Sequence, residues 1–144
     1  MTTVHKAEQK ESPMEVQNAA LALAEYTFDE AGKETVIAKR NRWSIGERLL
    51  EAALDVCVHV ETANAMRLEI PDEAADRIIA QDKAIASVCR IKTLVQIARH
   101  RLMFPYQKHV HWTRLCTTAI KLLYGWKESD RLRKRKPKKQ EEDF

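Results

Sequence analysis

An all-α fold, an antiparallel up-and-down four-helix bundle, is predicted by three features of this 144-residue sequence. Apolar residues recur three and four positions apart over four long segments. The few helix-breaking residues, 3 Gly and 4 Pro in all, include Gly32, Pro71 and Pro105 at the joints between those segments. No stretch alternates apolar with polar as a half-buried strand does. Four amphipathic helices on short connections bury their stripes by packing side by side around one core. A chain of this length makes one domain and buries roughly two-thirds of its unfolded surface.

Residues 1–11 are polar and of mixed charge, and are expected to be a disordered N-terminus. Ser12-Pro13-Met14-Glu15 reads as a helix start: Ser12 caps, Pro13 fits the first turn, and Glu15 closes a capping box. The first helix then runs from about Pro13 to Ala31, with Val16, Ala20, Leu23 and Thr27 inward and Gly32 as its stop. After a connector with Lys39, Arg40 and Arg42, a second helix is expected from about Trp43 to Glu69. Its stripe is Ile45, Leu49, Ala52, Ala53, Val56, Val60 and Ala63. Trp43, next to Arg40 and Arg42, is a better candidate than Trp112 or Trp126 for contact with RNA or a protein partner, but reads first as a packed lead-in to this helix.

Pro71 ends that segment, and Asp72 and Glu73 suit the positive end of a third helix running to about Met103. Ile78, Ile85, Val88, Ile91, Val95, Ala98 and Leu102 form its stripe. Phe104-Pro105 breaks it, because a residue before proline avoids helical angles. A fourth helix reaches about Arg131, with Trp112, Leu115, Ala119, Leu122 and Trp126 on one face. The bundle thus spans 12–131. The remainder, 132–144, cannot bury anything and reads as a charged, disordered tail.

Several function classes lose ground on composition. No apolar run approaches the roughly 18–20 residues that cross a bilayer, and the first residues lack a signal-peptide pattern. A cytoplasmic protein without membrane contact is expected. Cys57, Cys89 and Cys116 are odd in number, widely spaced and set among apolar residues, which reads as three buried thiols rather than a disulfide or zinc framework. His109 and His111 stand two apart, about 200° around a helix, so they cannot share a metal ion. The chain has no Gly-rich phosphate loop, no Gly-x-Ser-x-Gly and no Glu-x-x-His. Neither a catalytic residue, a cofactor nor a metal is expected.

Charge distribution points further. Net charge is only +4, yet from Glu47 to Asp82 there are nine acidic residues against Arg48, Arg67 and Arg77. From Lys83 to Lys127 there is no Asp or Glu, against nine Lys and Arg and three His. Such an asymmetry gives one side of a bundle a positive field, the footprint of a polyanion partner. Candidate nucleic-acid contacts are Arg90, Arg99 and Arg101 on the third helix and Lys108, Arg114 and Lys121 on the fourth. The connector adds Lys39, Arg40 and Arg42, and the tail adds Arg131, Arg133, Lys134, Arg135 and Lys136. Contacts of this kind neutralise phosphates and carry little sequence preference.

Read together and in order, Lys39-Arg40-Asn41-Arg42, Ile45-Gly46-Glu47-Arg48-Leu49, Ala63-Asn64, Gly125-Trp126-Lys127 and Ser129-Asp130 carry a resemblance. The chain resembles the four-helix-bundle family of the accessory variability determinant (Avd) of diversity-generating retroelements. Bundle proteins encoded by intervening sequences of 23S ribosomal RNA genes belong to the same kinship. The likeness covers about residues 36 to 130; it departs from the usual pattern at Ala38, where Pro is common, and at Tyr124, where a second Gly is frequent.

The resemblance implies a non-catalytic, homopentameric, positively charged barrel. Such a barrel binds the element's reverse transcriptase and its RNA, or an RNA/DNA hybrid, and supports mutagenic cDNA synthesis. The alternative it leaves open is a structural or protein-interaction bundle of the intervening-sequence type, without a reverse transcriptase partner. A degenerate bundle RNase or antitoxin-like partner is a third reading.

Overall fold

A computed structural model describes the backbone over residues 2–102 and 104–142, and the side chains over residues 13–102 and 104–133. Among these residues there are four α-helices and no strand: α1 (Thr2–Ala31), α2 (Glu47–Ala65), α3 (Pro71–Leu102) and α4 (Tyr106–Glu142). A 3-10 turn (Lys39–Asn41) and a π-helical turn (Arg42–Gly46) lead into α2. Each helix packs on two neighbours, α1 on α2 and α4, and α3 on α2 and α4, which closes the antiparallel bundle. The expected all-α architecture is the one observed.

The core follows the helical spacing. Val16, Ala20, Leu23 and Thr27 of α1 face Leu49, Ala52, Ala53, Val56, Val60 and Ala63 of α2, all buried. From α3 come Ile85, Val88, Ile91, Val95 and Ala98, and from α4 Trp112, Ala119 and Trp126. Burying such side chains contributes roughly 1.5–3 kcal/mol each for the larger ones. Thr27 shows why a polar residue is accepted: its hydroxyl donates to the Leu23 carbonyl at 2.7 Å and accepts the Trp112 indole N–H at 3.0 Å.

Several boundaries and faces differ from expectation. Helical backbone begins at Thr2 rather than near Pro13, and continues to Glu142 rather than stopping near Arg131. The expected disorder of 1–11 and of 132–144 falls largely on residues whose side chains lie outside those described. Met66 is extended (φ −83°, ψ 138°), so α2 ends four residues before the expected Glu69. On α4 the inward positions include Cys116 and Leu123, while Leu115 and Leu122 are half-buried, because the helix must face both α1 and α3.

On α3, Ile78 is 40% exposed, and its neighbour Arg77 points inward instead. Arg77 Nε and Nη2 donate to the Asp130 carboxylate at 2.7 and 3.0 Å, and Nη1 donates to the Met66 carbonyl at 2.9 Å. Its guanidinium lies over the Trp126 ring, 4.9 Å from the centroid, and Gln81 also donates to Asp130. A charge this deep is tolerated only when paired and hydrogen-bonded. This lock ties the α2–α3 loop to the far half of α4.

Candidate nucleic-acid interface

The connector between α1 and α2 is pinned from beneath. Gly32 N–H closes α1 on the Phe28 carbonyl at 3.2 Å, and the N–H groups of Val36 and Ile37 both bond the Lys33 carbonyl. Val36 and Ile37 are buried, which draws the following residues tightly over the end of the bundle. Asn41 N–H donates to the Ala38 carbonyl at 2.8 Å, forming the 3-10 turn that carries Lys39 and Arg40 outward. In the π turn, Gly46 is buried, and a Cβ there would meet the Ile37 side chain at 3.5 Å. Lys39, Arg40 and Arg42 are all exposed. So is Trp43, which was expected to pack. Its polar neighbours Arg42 and Ser44 were the available sequence signal for a surface position.

Arg101 is exposed in the last turn of α3, at the same end of the bundle as the connector because α2 and α3 run antiparallel. Arg90 is exposed one-third of the way back along the same helix. At 100° per residue, Arg90 and Arg101 lie roughly 140–160° around α3 from the flank that sends Arg77 and Gln81 to α4. On α4, Arg114 and Lys121 are exposed and point away from the core residues Trp112 and Trp126. The cations expected on one joint face of α3 and α4 are therefore divided between two flanks. Among the described residues, Arg90, Arg101, Arg114 and Lys121 enter no ion pair with the acidic half.

Other candidates are engaged elsewhere. Lys108 donates to the buried Glu30 carboxylate at 2.8 Å, and Lys33 bonds the other Glu30 oxygen at 2.9 Å. Burial alone raises the Glu30 pKa, but hydrogen bonds and charge from Lys108 and Lys33 outweigh it and hold the carboxyl below its ordinary value. Arg131 pairs with Glu128 within α4, and Lys127 pairs with Asp82 of α3. Arg99 is half-buried and Arg133 is exposed, each with a partner of its own. Lys134, Arg135 and Lys136 lie outside the residues whose side chains are described. The absence of acids between Lys83 and Lys127 was legible in one dimension; the carboxylates that cross over from α1 and the start of α3 were not.

The remaining reactive groups are occupied by packing. His111 sits edge-on to Tyr26 (centroids 4.6 Å apart), while His109 stacks on Tyr106 (6.0 Å), so the two histidines serve different neighbours. Burial pushes the Cys116 thiol up to about 12, which keeps it protonated and unreactive at neutral pH. Cys57 is half-buried, and Cys89, against expectation, is exposed on the outer side of α3. Among the described residues, no group of three or more His, Cys, Asp or Glu side chains is placed to hold a metal ion. No helix among them is long and apolar enough to cross a membrane.

A cleft of about 400 Å³ opens near the opposite end, lined by Leu68, Ile78, Tyr124, Lys127, Glu128, Asp130 and Arg131. No family model, curated protein or solved structure matches the chain.

Proposed function

We propose that this chain is a non-catalytic accessory protein of a reverse transcriptase that binds template RNA through its exposed cations and the enzyme through a face of the bundle, supporting mutagenic cDNA synthesis. One observation carries the nucleic-acid part. Lys39, Arg40 and Arg42 on the connector and Arg101 on α3 are exposed at the same end of the bundle, and Arg114 and Lys121 are exposed farther along α4, roughly 10 Å apart. Cations that are neither buried nor neutralised are free to displace counterions from a phosphate chain. The reverse transcriptase as partner rests on the family resemblance of the motifs between residues 36 and 130. So does a homo-oligomer, with a pentamer favoured. The contrast between an acid-rich α2 and the cationic surface of α3 and α4 supports contacts between copies, because opposite charges steer such association.

The test is charge reversal. Arg90, Arg101, Arg114 and Lys121 changed together to Glu are expected to abolish RNA binding, measured by fluorescence anisotropy, while circular dichroism stays that of the folded bundle. Undiminished affinity in that variant would sink the reading and leave a structural or protein-interaction bundle in its place. Co-purification with a reverse transcriptase and its RNA tests the partner, and light scattering tests the oligomer.

A further inference from the structure

Three tryptophans stand in the chain, in two kinds of surroundings. Trp112 and Trp126 are 0% and 1% exposed in the core, whereas Trp43 is 74% exposed. An indole left in water forgoes the burial that the other two obtain, so packing does not account for its place. Cations flank it in sequence: Arg40 and Arg42 are exposed, as is Ser44, while Asn41 and Ile45 are half-buried.

Its mounting is firm. Val36 and Ile37 anchor the connector in the core, the 3-10 turn closes on the Ala38 carbonyl, and the Glu47 N–H bonds the Arg42 carbonyl across the π turn. Such π turns recur at functional positions. α1 runs toward this end of the bundle and α4 away from it, so residues 2–12 and 134–142 belong to the opposite end. Tyr106, at the start of α4, is 65% exposed and lies nearly parallel to His109, their planes 25° apart, which gives the same end a second flat surface.

A single-stranded polynucleotide needs cations for its phosphates and flat rings for its bases. Duplex bases are already stacked on one another and offer no free face to a side chain. We infer that Trp43 is a base-stacking platform for single-stranded nucleic acid, whose phosphates are held by Lys39, Arg40 and Arg42 with Arg101 at the neighbouring helix end. The inference rests on the nucleic-acid reading above and sharpens it: charge alone attracts duplex, single strand and sulfated polysaccharide alike, whereas an exposed ring selects unpaired bases. An anionic membrane also attracts Trp beside Arg, but interfacial anchoring takes an extended apolar face, whereas the residues on either side of Trp43, Arg42 and Ser44, are polar and exposed.

The two buried tryptophans make the test direct, since iodide or acrylamide reaches Trp43 and leaves the others shielded. The full chain is titrated with a short oligouridylate, a duplex RNA of equal length, heparin, and phosphatidylserine–phosphatidylcholine vesicles. Oligouridylate is expected to quench the accessible emission and to bind more tightly than the duplex. Trp43→Ala is expected to weaken oligouridylate binding on the order of five- to a hundredfold, with heparin affinity unchanged, and Trp43→Phe to retain most of it.

Equal oligouridylate affinity in wild type and Trp43→Ala overturns the platform while the charge-based reading stands. No binding to either nucleic acid sinks that reading and the platform with it. Quenching or a blue shift by vesicles, without any by oligouridylate, assigns the ring to a membrane and overturns the proposal. Unchanged far-ultraviolet circular dichroism shows that the Ala variant remains folded, as the exposure of Trp43 leads one to expect.

Discussion

Arg77 and Asp130 lie 53 positions apart in the chain and meet with side chains only 9% and 4% exposed. Gln81 and the Met66 carbonyl complete their hydrogen bonding, so the pair joins α3, α4 and the α2–α3 loop at one point. Removing one member leaves a buried charge without its counterion, a change that costs about 3–5 kcal/mol. Asp130→Ala is therefore expected to lower unfolding free energy by that order in urea titration, and Arg77→Met with Asp130→Leu to lie much closer to wild type. At the other end of the bundle, Glu30 works by pH. Its folded-state pKa is depressed by Lys108 and Lys33 against the opposing effect of burial. The stability it contributes is present above the ordinary carboxyl pKa and is lost as pH falls through the depressed folded value. Glu30→Gln is expected to flatten the stability profile below the ordinary carboxyl pKa, read from melts carried from neutral pH into the acid range.

Elements divide into those that hold and those that present. The glycines make the difference plain. A Cβ at Gly125 would meet nothing within 4 Å, so this exposed glycine in α4 only loosens the helix. Gly125→Ala is expected to stabilise the fold by about 0.5–1 kcal/mol, seen as a higher melting temperature. Gly46 is different, buried where the connector crosses the start of α2 and close to Ile37. Alanine fits there at ordinary contact distance, whereas a larger side chain must displace Ile37 and loosen the turn that carries Lys39, Arg40 and Trp43. The connector is thus a presented element held from beneath, and α4 a held element whose outer side carries Arg114 and Lys121.

Across the whole molecule, charge is ordered along the bundle as well as around it. The connector cluster occupies one end, and Arg131 and Arg133 lie roughly 38 Å away down α4, at 1.5 Å per residue. A strand that follows α4 between the two ends passes Arg114 and Lys121, both exposed. Affinity for single-stranded RNA is then expected to fall linearly on a log–log plot against salt, with about 0.7 in slope for each phosphate neutralised. The fourfold reversal variant is expected to flatten that slope, and an unchanged slope would mean that these side chains touch no phosphate. Lys108, Lys127 and Arg131 add less than their formal charge, since carboxylates of the same chain already hold them.

By itself the sequence determined the number of helices, their order, their breaks at Gly32, Pro71 and Pro105, and most of the buried positions. These depend on spacing between near neighbours, which a linear pattern records. It also marked where cations outnumber acids. Only the tertiary structure decided that Arg77 rather than Ile78 turns inward, that Glu30 reaches across to neutralise Lys108, and that Arg90 and Arg114 occupy different flanks. Each of those outcomes depends on groups from separate helices meeting at a distance of a few ångströms, and no local periodicity encodes such a meeting. The exposure of Trp43 was legible only in part: its polar neighbours Arg42 and Ser44 pointed to the surface, while Val36 and Ile37 are the connector residues that the core takes up.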